Sequence, residues 1–123
     1  MIVIDSSGWM EFFAGSAAGK KLLPFIEKPH ELVVPAITIY EVFKKILQQR
    51  DEEEALRAAG LISAGKVVDL NRDLAIEAAL ISAEHKLPMA DSIIYATALS
   101  HDAEVWTLDA HFKGLPGVVW LER

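Results

Sequence analysis

Short runs of apolar, often β-branched residues recur along the chain, separated by longer stretches that carry apolar residues at helical spacing. Runs without alternating polar positions are typical of strands buried on both faces of a parallel sheet. They predict five strands, at residues 2–5, 31–35, 66–70, 104–108 and 118–121.

The stretches between these runs predict helices. Two serines at positions 6–7 are expected to cap a first helix that ends near Gly15, and Pro24 is expected to kink a second helix over residues 17–28. Residues 37–50 begin with a β-prone segment, but their later apolar positions follow helical spacing and favour a helix. Three further helices are predicted from Asp51 to Leu61, from the Asn71 cap to Lys86, and from Pro88 to Leu99.

The alternation of strands and helices predicts the fold class. Helices that connect parallel strands cover both faces of the sheet. We therefore expect an α/β protein with three α/β/α layers and a mostly parallel central sheet of four or five strands. With 123 residues, the chain is expected to form one domain over residues 1–123.

The composition, with 52% hydrophobic and 24% charged residues, is that of a folded globular protein. The absence of cysteine excludes disulfides, zinc–thiolate sites and thiol nucleophiles. The first residues do not resemble a secretory signal and no apolar run is long enough to span a membrane, so we expect a soluble cytoplasmic protein. The net charge of −6 argues against general nucleic-acid binding, unless metal ions neutralise part of it.

Four acidic residues lie just after predicted strands or in the first turns of predicted helices: Asp5, Glu41, Asp91 and Asp109. The carboxyl ends of parallel strands share one edge of a sheet, so these side chains are expected to meet there. Carboxylates without cationic partners repel one another, and a divalent ion commonly neutralises such a cluster. Oxygen ligands suit Mg²⁺ or Mn²⁺, and two such ions can activate a water and stabilise a leaving oxygen. The pattern predicts a metal-dependent enzyme.

Each acid also has a purely structural explanation as a helix cap, a partner of a helix dipole or a turn residue. Taken singly, these explanations are the stronger ones. Glu41 and Asp91, however, lie among apolar neighbours, where an acid without a partner is costly. Four such coincidences at corresponding places in the topology favour one shared site.

Four segments of the chain resemble the motifs of PIN-domain ribonucleases, and most closely those of VapC-type toxins. The segments occur in the family's order and together span essentially the whole chain. They are Ile-Val-Ile-Asp-Ser-Ser at 2–7, Ile-Tyr-Glu-Val at 39–42, Leu-Pro-Met-Ala-Asp-Ser-Ile-Ile-Tyr-Ala-Thr-Ala at 87–98, and Trp-Thr-Leu-Asp-Ala-His-Phe at 106–112.

The resemblance implies that the four acids are catalytic ligands of Mg²⁺ (or Mn²⁺), supported by the hydroxyls of Thr107 and of Ser6 or Ser7. Some relatives carry a further acid two residues after the last one, where this chain has His111, so coordination of a second metal stays open. The implied activity is that of an endoribonuclease leaving 5′-phosphate and 3′-hydroxyl ends. The implied role is that of the toxin in a type II toxin–antitoxin pair.

The resemblance also implies protein partners. A VapB-like antitoxin is expected to fold a disordered tail onto the toxin and to place an Arg or Lys in the acidic cleft, in a hetero-oligomer. A homodimer is expected as well, supported by apolar residues that a small domain cannot all bury, such as Trp9, Met10, Phe12 and Phe13.

Other residues give weaker indications. Three lysines close to the acidic motifs are candidates for contacts with RNA phosphates, although solvated lysines are the commoner case: Lys44, Lys45 and Lys113. The three tryptophans lie in apolar segments and are predicted to belong to the core. The four histidines show no metal-ligand spacing on one helix face, and His111 is a minor candidate for the site.

Two alternatives from other functional classes stay open. A receiver domain or a haloacid-dehalogenase-like phosphatase also uses an Asp after the first strand, but each requires a further acid that this chain does not supply near Asp5. Ser7 occupies the place of the phosphatase's second Asp, and Asp69 alone does not complete the receiver pattern. A catalytically silent PIN-like interaction module is the other alternative, which the intact set of four acids disfavours.

Overall fold

Five short parallel strands form the centre of the fold in the computed structural model, which describes residues 1–122. The strands are β1 (Ile2–Ile4), β2 (Val33–Pro35), β3 (Lys66–Val68), β4 (Glu104–Thr107) and β5 (Val118–Trp120). In the first sheet β1 pairs with β4 and β4 with β5, while β2 and β3 pair separately. A parallel bridge between Ile2 and Leu32 connects the two groups, which gives the order β3-β2-β1-β4-β5. The prediction of a mostly parallel sheet is confirmed.

Seven α-helices connect or follow the strands in the described part of the chain. Two additional 3-10 turns lie at Pro29–Glu31 and Ala110–Phe112. The helices are α1 (Ser6–Ala14), α2 (Ala17–Lys20), α3 (Leu23–Ile26), α4 (Ala36–Gln49), α5 (Glu52–Ile62), α6 (Arg72–His85) and α7 (Met89–Ser100). The ambiguous segment after β2 is the helix α4, as its apolar spacing predicted.

Two local predictions were wrong. The expected kinked helix over residues 17–28 is instead two short helices, because Pro24 lies in the first turn of α3, where its missing N–H costs no hydrogen bond. The first helix is capped by Asp5 rather than by the serines that follow it, since the Asp5 carboxylate accepts from the backbone N–H of Gly8. Asn71 caps α6 as predicted, accepting from the backbone N–H of Leu74.

The two faces of the sheet are buried against different helices. In β1, Ile2 and Ile4 belong to a core shared with α1 to α5, whereas Val3 belongs to a core shared with α7. Because neighbouring side chains of a strand point to opposite faces, this alternation places helices on both sides of the sheet. Helix α6 packs against the outer side of α7 through Leu74 and Ala78. The arrangement agrees with the predicted α/β/α layers.

Among the aromatic residues of α1, Trp9 lies in the core, and Phe12 and Phe13 are half-buried against it. Trp9 is 1% exposed, and its ring lies 6.2 Å from that of Phe12 and 5.9 Å from that of Phe13. Met10 is also partly buried against this core. These side chains therefore leave less exposed apolar surface than the expectation of a homodimer assumed.

Candidate active site

The topology brings the four predicted acids to one edge of the sheet. Asp5 directly follows β1, and Asp109 follows β4 after one intervening residue. Glu41 lies in the second turn of α4, which begins at the end of β2, and Asp91 lies in the first turn of α7. Three of these acids line a cleft of about 560 Å³, and the fourth, Asp5, is buried beside it. The wall is completed by residues that were not predicted to belong to the site: Met10, Glu11, Tyr40 and Gln48.

Asp5 is held by three hydrogen-bond donors although it is only 2% exposed. Its Oδ1 accepts from the backbone N–H of Gly8 at 2.9 Å and from the Ser7 hydroxyl at 2.8 Å. Its Oδ2 accepts from the Thr107 hydroxyl at 2.7 Å. Burial raises the pKa of Asp5 to about 6, and the hydrogen bonds only partly oppose that effect. The cap and the acidic site therefore use the same carboxylate.

The hydroxyls of Ser7 and Thr107 also fix the chain that leads to Asp109. Ser7 Oγ accepts from the backbone N–H of Leu108 at 3.1 Å, and Thr107 Oγ1 accepts from that of Asp109 at 2.8 Å. The two hydroxyls thus connect the end of β1 to the loop after β4. Ser6 has a different partner, since its hydroxyl donates to Glu41 Oε1 at 2.5 Å. All three predicted supporting hydroxyls contact an acid or the loop that carries one.

Asp91 and Asp109 both approach the same nitrogen, Nδ1, of the His111 imidazole. His111 Nδ1 is 3.0 Å from Asp91 Oδ2 and 3.1 Å from Asp109 Oδ1. Burial first, and then the negative charges of Asp109 and Glu41, raise the pKa of Asp91 to about 6 against the opposing influence of His111. One ligand atom from each of the three residues lies within 4.8 Å of the others. Two carboxylates and an imidazole at this spacing can hold a divalent ion.

The lysine candidates separate into two groups. Lys44 and Lys45 line the cleft, on the face of α4 that also carries Glu41. Lys113 instead lies over the ring of Trp120, with Nζ 5.4 Å from the ring centroid. Tyr40, which was not predicted, is 62% exposed at the cleft, and Lys44 Nζ lies 5.7 Å from its ring centroid. The one indication in the sequence was its position beside Glu41, four residues before Lys44.

The PIN domain family matches residues 2–118. The chain belongs to the PIN domain family. No curated protein sequence matches this PIN domain. Among residues 1–122, none of the helices combines the length and apolar character needed to cross a membrane.

Solved structures share the fold over nearly the whole chain. A toxin–antitoxin complex from Klebsiella pneumoniae contains a chain 27% identical to this PIN domain, with a TM-score of 0.84 and coverage of 100% of this chain and 99% of that one. VapC20 from Mycobacterium tuberculosis, described as a toxin that cleaves the sarcin–ricin loop, is 20% identical with a TM-score of 0.79 and coverage of 96% and 97%. A DNA-bound VapBC complex from Salmonella typhimurium is 21% identical, with a TM-score of 0.73 and coverage of 96% of both chains.

Proposed function

We propose that this PIN domain is a metal-dependent endoribonuclease that acts as the toxin of a type II toxin–antitoxin system. The observation that carries the proposal is the convergence of four acids from four separate segments on one cleft edge. Family membership and the 27% identity to a chain of a toxin–antitoxin complex support it.

The proposed cofactor is Mg²⁺ or Mn²⁺, which would supply an activated water and stabilise the charge on the leaving oxygen of the RNA phosphodiester. Asp91 and Asp109 are the accessible ligands, with side chains 13% and 31% exposed. Glu41 faces them from α4, and its charge contributes to the raised pKa of Asp91. Asp5 would act from the buried side, directly or through a water, because three donors leave its carboxylate one acceptor position.

Ser6, Ser7 and Thr107 act as positioning residues in this proposal. The Ser6 hydroxyl holds Glu41, and the other two hydroxyls hold Asp5 and the backbone before Asp109. A carboxylate that is oriented by a hydrogen bond loses less freedom when it binds a cation. These contacts would therefore tune the acids without touching the substrate.

The cleft also offers groups that suit RNA. Lys44 and Lys45 can contact RNA phosphates. Their positive charges would offset the negative charge of the acids along the path of the RNA strand. Tyr40 presents an exposed ring, and aromatic side chains stack on unpaired bases. The corresponding substrate class is RNA with a single-stranded or looped segment at the site of cleavage.

We further propose that a VapB-like antitoxin inhibits the protein by placing an Arg or Lys of its disordered tail among the acids, where it would form charge-assisted hydrogen bonds. The protein is also proposed to act as a cytoplasmic homodimer. Exposed apolar side chains on α6 and at the start of α7 support self-association, since Ile76, Leu80 and Met89 are 55%, 66% and 72% exposed.

Expression in a bacterial host tests the toxin role. The wild-type chain should arrest growth, and co-expression of the short reading frame immediately upstream of its gene should relieve the arrest. Asp91→Asn should abolish the arrest, whereas Asp69→Asn, which changes an exposed aspartate outside the cleft, should leave it intact. Harmless accumulation of folded wild-type protein would instead favour the silent interaction module.

A further inference from the structure

The position of His111 in the acidic site has consequences for the choice of metal. His111 is not a freely placed surface histidine, because its backbone N–H donates to Asp109 Oδ1 at 2.9 Å within the 3-10 turn that Asp109 caps. Asp109 is held in turn by the bond from its own N–H to Thr107 Oγ1. The imidazole is therefore attached to the same short, hydrogen-bonded turn as the carboxylate beside it.

We infer that His111 Nδ1 is a direct metal ligand and that, with Asp91 and Asp109, it makes this a site for a first-row transition-metal ion in preference to Mg²⁺. The inference rests on the proposed metal-dependent function and specifies which ion serves it. It assigns His111 a role beyond that of the four acids.

The spacing of the donor atoms supports direct ligation. Neighbouring ligands of an octahedral ion with bonds of about 2.1 Å stand about 3 Å apart. His111 Nδ1 already lies 3.0 Å from Asp91 Oδ2 and 3.1 Å from Asp109 Oδ1. An ion bound by all three atoms requires a lone pair on Nδ1, so a proton carried on that nitrogen would leave to water and the imidazole would keep its other proton on Nε2. The His111 side chain is 57% exposed, so the exchange does not require the fold to open.

The chemistry of the donor set determines the selectivity. Mg²⁺ prefers oxygen ligands and retains its waters, so an imidazole nitrogen contributes little to its binding. First-row transition ions accept imidazole readily, and their affinity for mixed nitrogen and oxygen sites rises from Mn²⁺ through Co²⁺. Replacement of the nitrogen by an oxygen donor should therefore weaken Co²⁺ and Mn²⁺ binding selectively.

Two measurements on the RNA-free protein test the inference. Pulsed electron paramagnetic resonance of the Mn²⁺ complex should show coupling to an imidazole ¹⁴N nucleus in the wild type. The coupling should be absent in His111→Asn, whose amide oxygen can occupy the place of Nδ1. It should be retained in the control His30→Asn, because His30 lies just before the amino end of β2, whereas the acids lie at the carboxyl edge of the sheet. Calorimetric titration should show that His111→Asn lowers Co²⁺ affinity on the order of tenfold while Mg²⁺ affinity changes much less.

The outcomes separate this inference from the proposed function. Mn²⁺ binding without ¹⁴N coupling in the wild type, or an equal loss of Co²⁺ and Mg²⁺ affinity in His111→Asn, would overturn the inference even if RNA is cleaved. The predicted coupling and selectivity in a protein that cleaves no RNA would support the inference and reject the nuclease. Circular dichroism of each variant checks that its fold is intact.

Discussion

Replacement of Asp5 with asparagine should stabilise the metal-free protein while abolishing its proposed activity. Asp5 is 2% exposed, and burial raises the pKa of its carboxyl from 3.8 to about 6. Ionisation of this residue in the folded state therefore costs about 3 kcal/mol relative to ionisation in the unfolded chain. Asparagine carries no charge and removes that cost.

The substitution also changes the hydrogen bonds around residue 5. An amide oxygen can still accept from the backbone N–H of Gly8 and from the Ser7 hydroxyl. In the wild type, Thr107 Oγ1 donates to Asp5 Oδ2 and accepts from the Asp109 N–H. The amide nitrogen of asparagine would face Thr107 Oγ1 and cannot accept its hydrogen bond. Loss of the bond donated by Thr107 costs about 1 kcal/mol. The net gain expected for Asp5→Asn is therefore about 2 kcal/mol.

The gain must depend on pH with a definite sign. Because the pKa of Asp5 is higher in the folded than in the unfolded state, the folded protein binds more protons between these two pKa values. The destabilisation is absent below about pH 4 and complete above about pH 6. The advantage of the variant should follow this profile.

Urea unfolding in EDTA at several pH values measures the effect. Asp5→Asn should exceed the wild type in unfolding free energy by about 2 kcal/mol near neutral pH. Below about pH 4, where the ionisation cost is absent, the variant should instead be less stable by the lost hydrogen bond, about 1 kcal/mol. Asp69→Asn, at an exposed position, should differ little from the wild type at any pH. A variant that is less stable than the wild type at neutral pH would show this prediction to be wrong, since Asp5 would then act mainly as a structural cap.

Three further predictions concern packing, orientation and substrate binding. Gly19→Ala should destabilise the fold by about 2 kcal/mol in urea unfolding, because the new Cβ would overlap the backbone of Glu11. Gly60→Ala, which has open space around it, should instead stabilise the fold by about 1 kcal/mol. Ser6→Ala frees Glu41 and should lower the RNA cleavage rate about tenfold without loss of stability, with the exposed Ser63→Ala as control. The double variant Lys44→Gln/Lys45→Gln should reduce the salt dependence of RNA affinity, so that the slope of log K against log[salt] becomes less negative by about 1.4. The exposed control pair Lys20→Gln/Lys21→Gln should leave the slope unchanged.

The features that could be predicted from the sequence are those with local or topological causes. The apolar runs produce the strands because a parallel sheet buries both faces, and the Asn71 side chain caps α6 with a bond three residues away. The convergence of Asp5, Glu41 and Asp109 follows from the shared carboxyl edge of parallel strands.

The features that could not be predicted depend on contacts distant in sequence or on details of turns. Phe12 and Phe13 are partly buried because α1 packs against a core that also includes residues of α4 and α5. Hydropathy along the chain does not reveal this packing. The break between α2 and α3 places Pro24 in the first turn of α3, and Gly19 of α2 lies close to the backbone of α1. His111 reaches Asp91 only through the 3-10 turn after Asp109, and no spacing rule for metal ligands anticipates that geometry.

In the proposed function, the acids at the cleft bind a divalent ion that is required for cutting RNA. Cleavage of a structured RNA by the purified protein, with and without excess EDTA and with metal added back, tests this proposal most directly. We expect cleavage that EDTA abolishes and added metal restores. Asp91→Asn should eliminate the cleavage, and Asp69→Asn should preserve it. Undiminished cleavage in EDTA, or equal activity in Asp91→Asn and the wild type, would contradict the proposal.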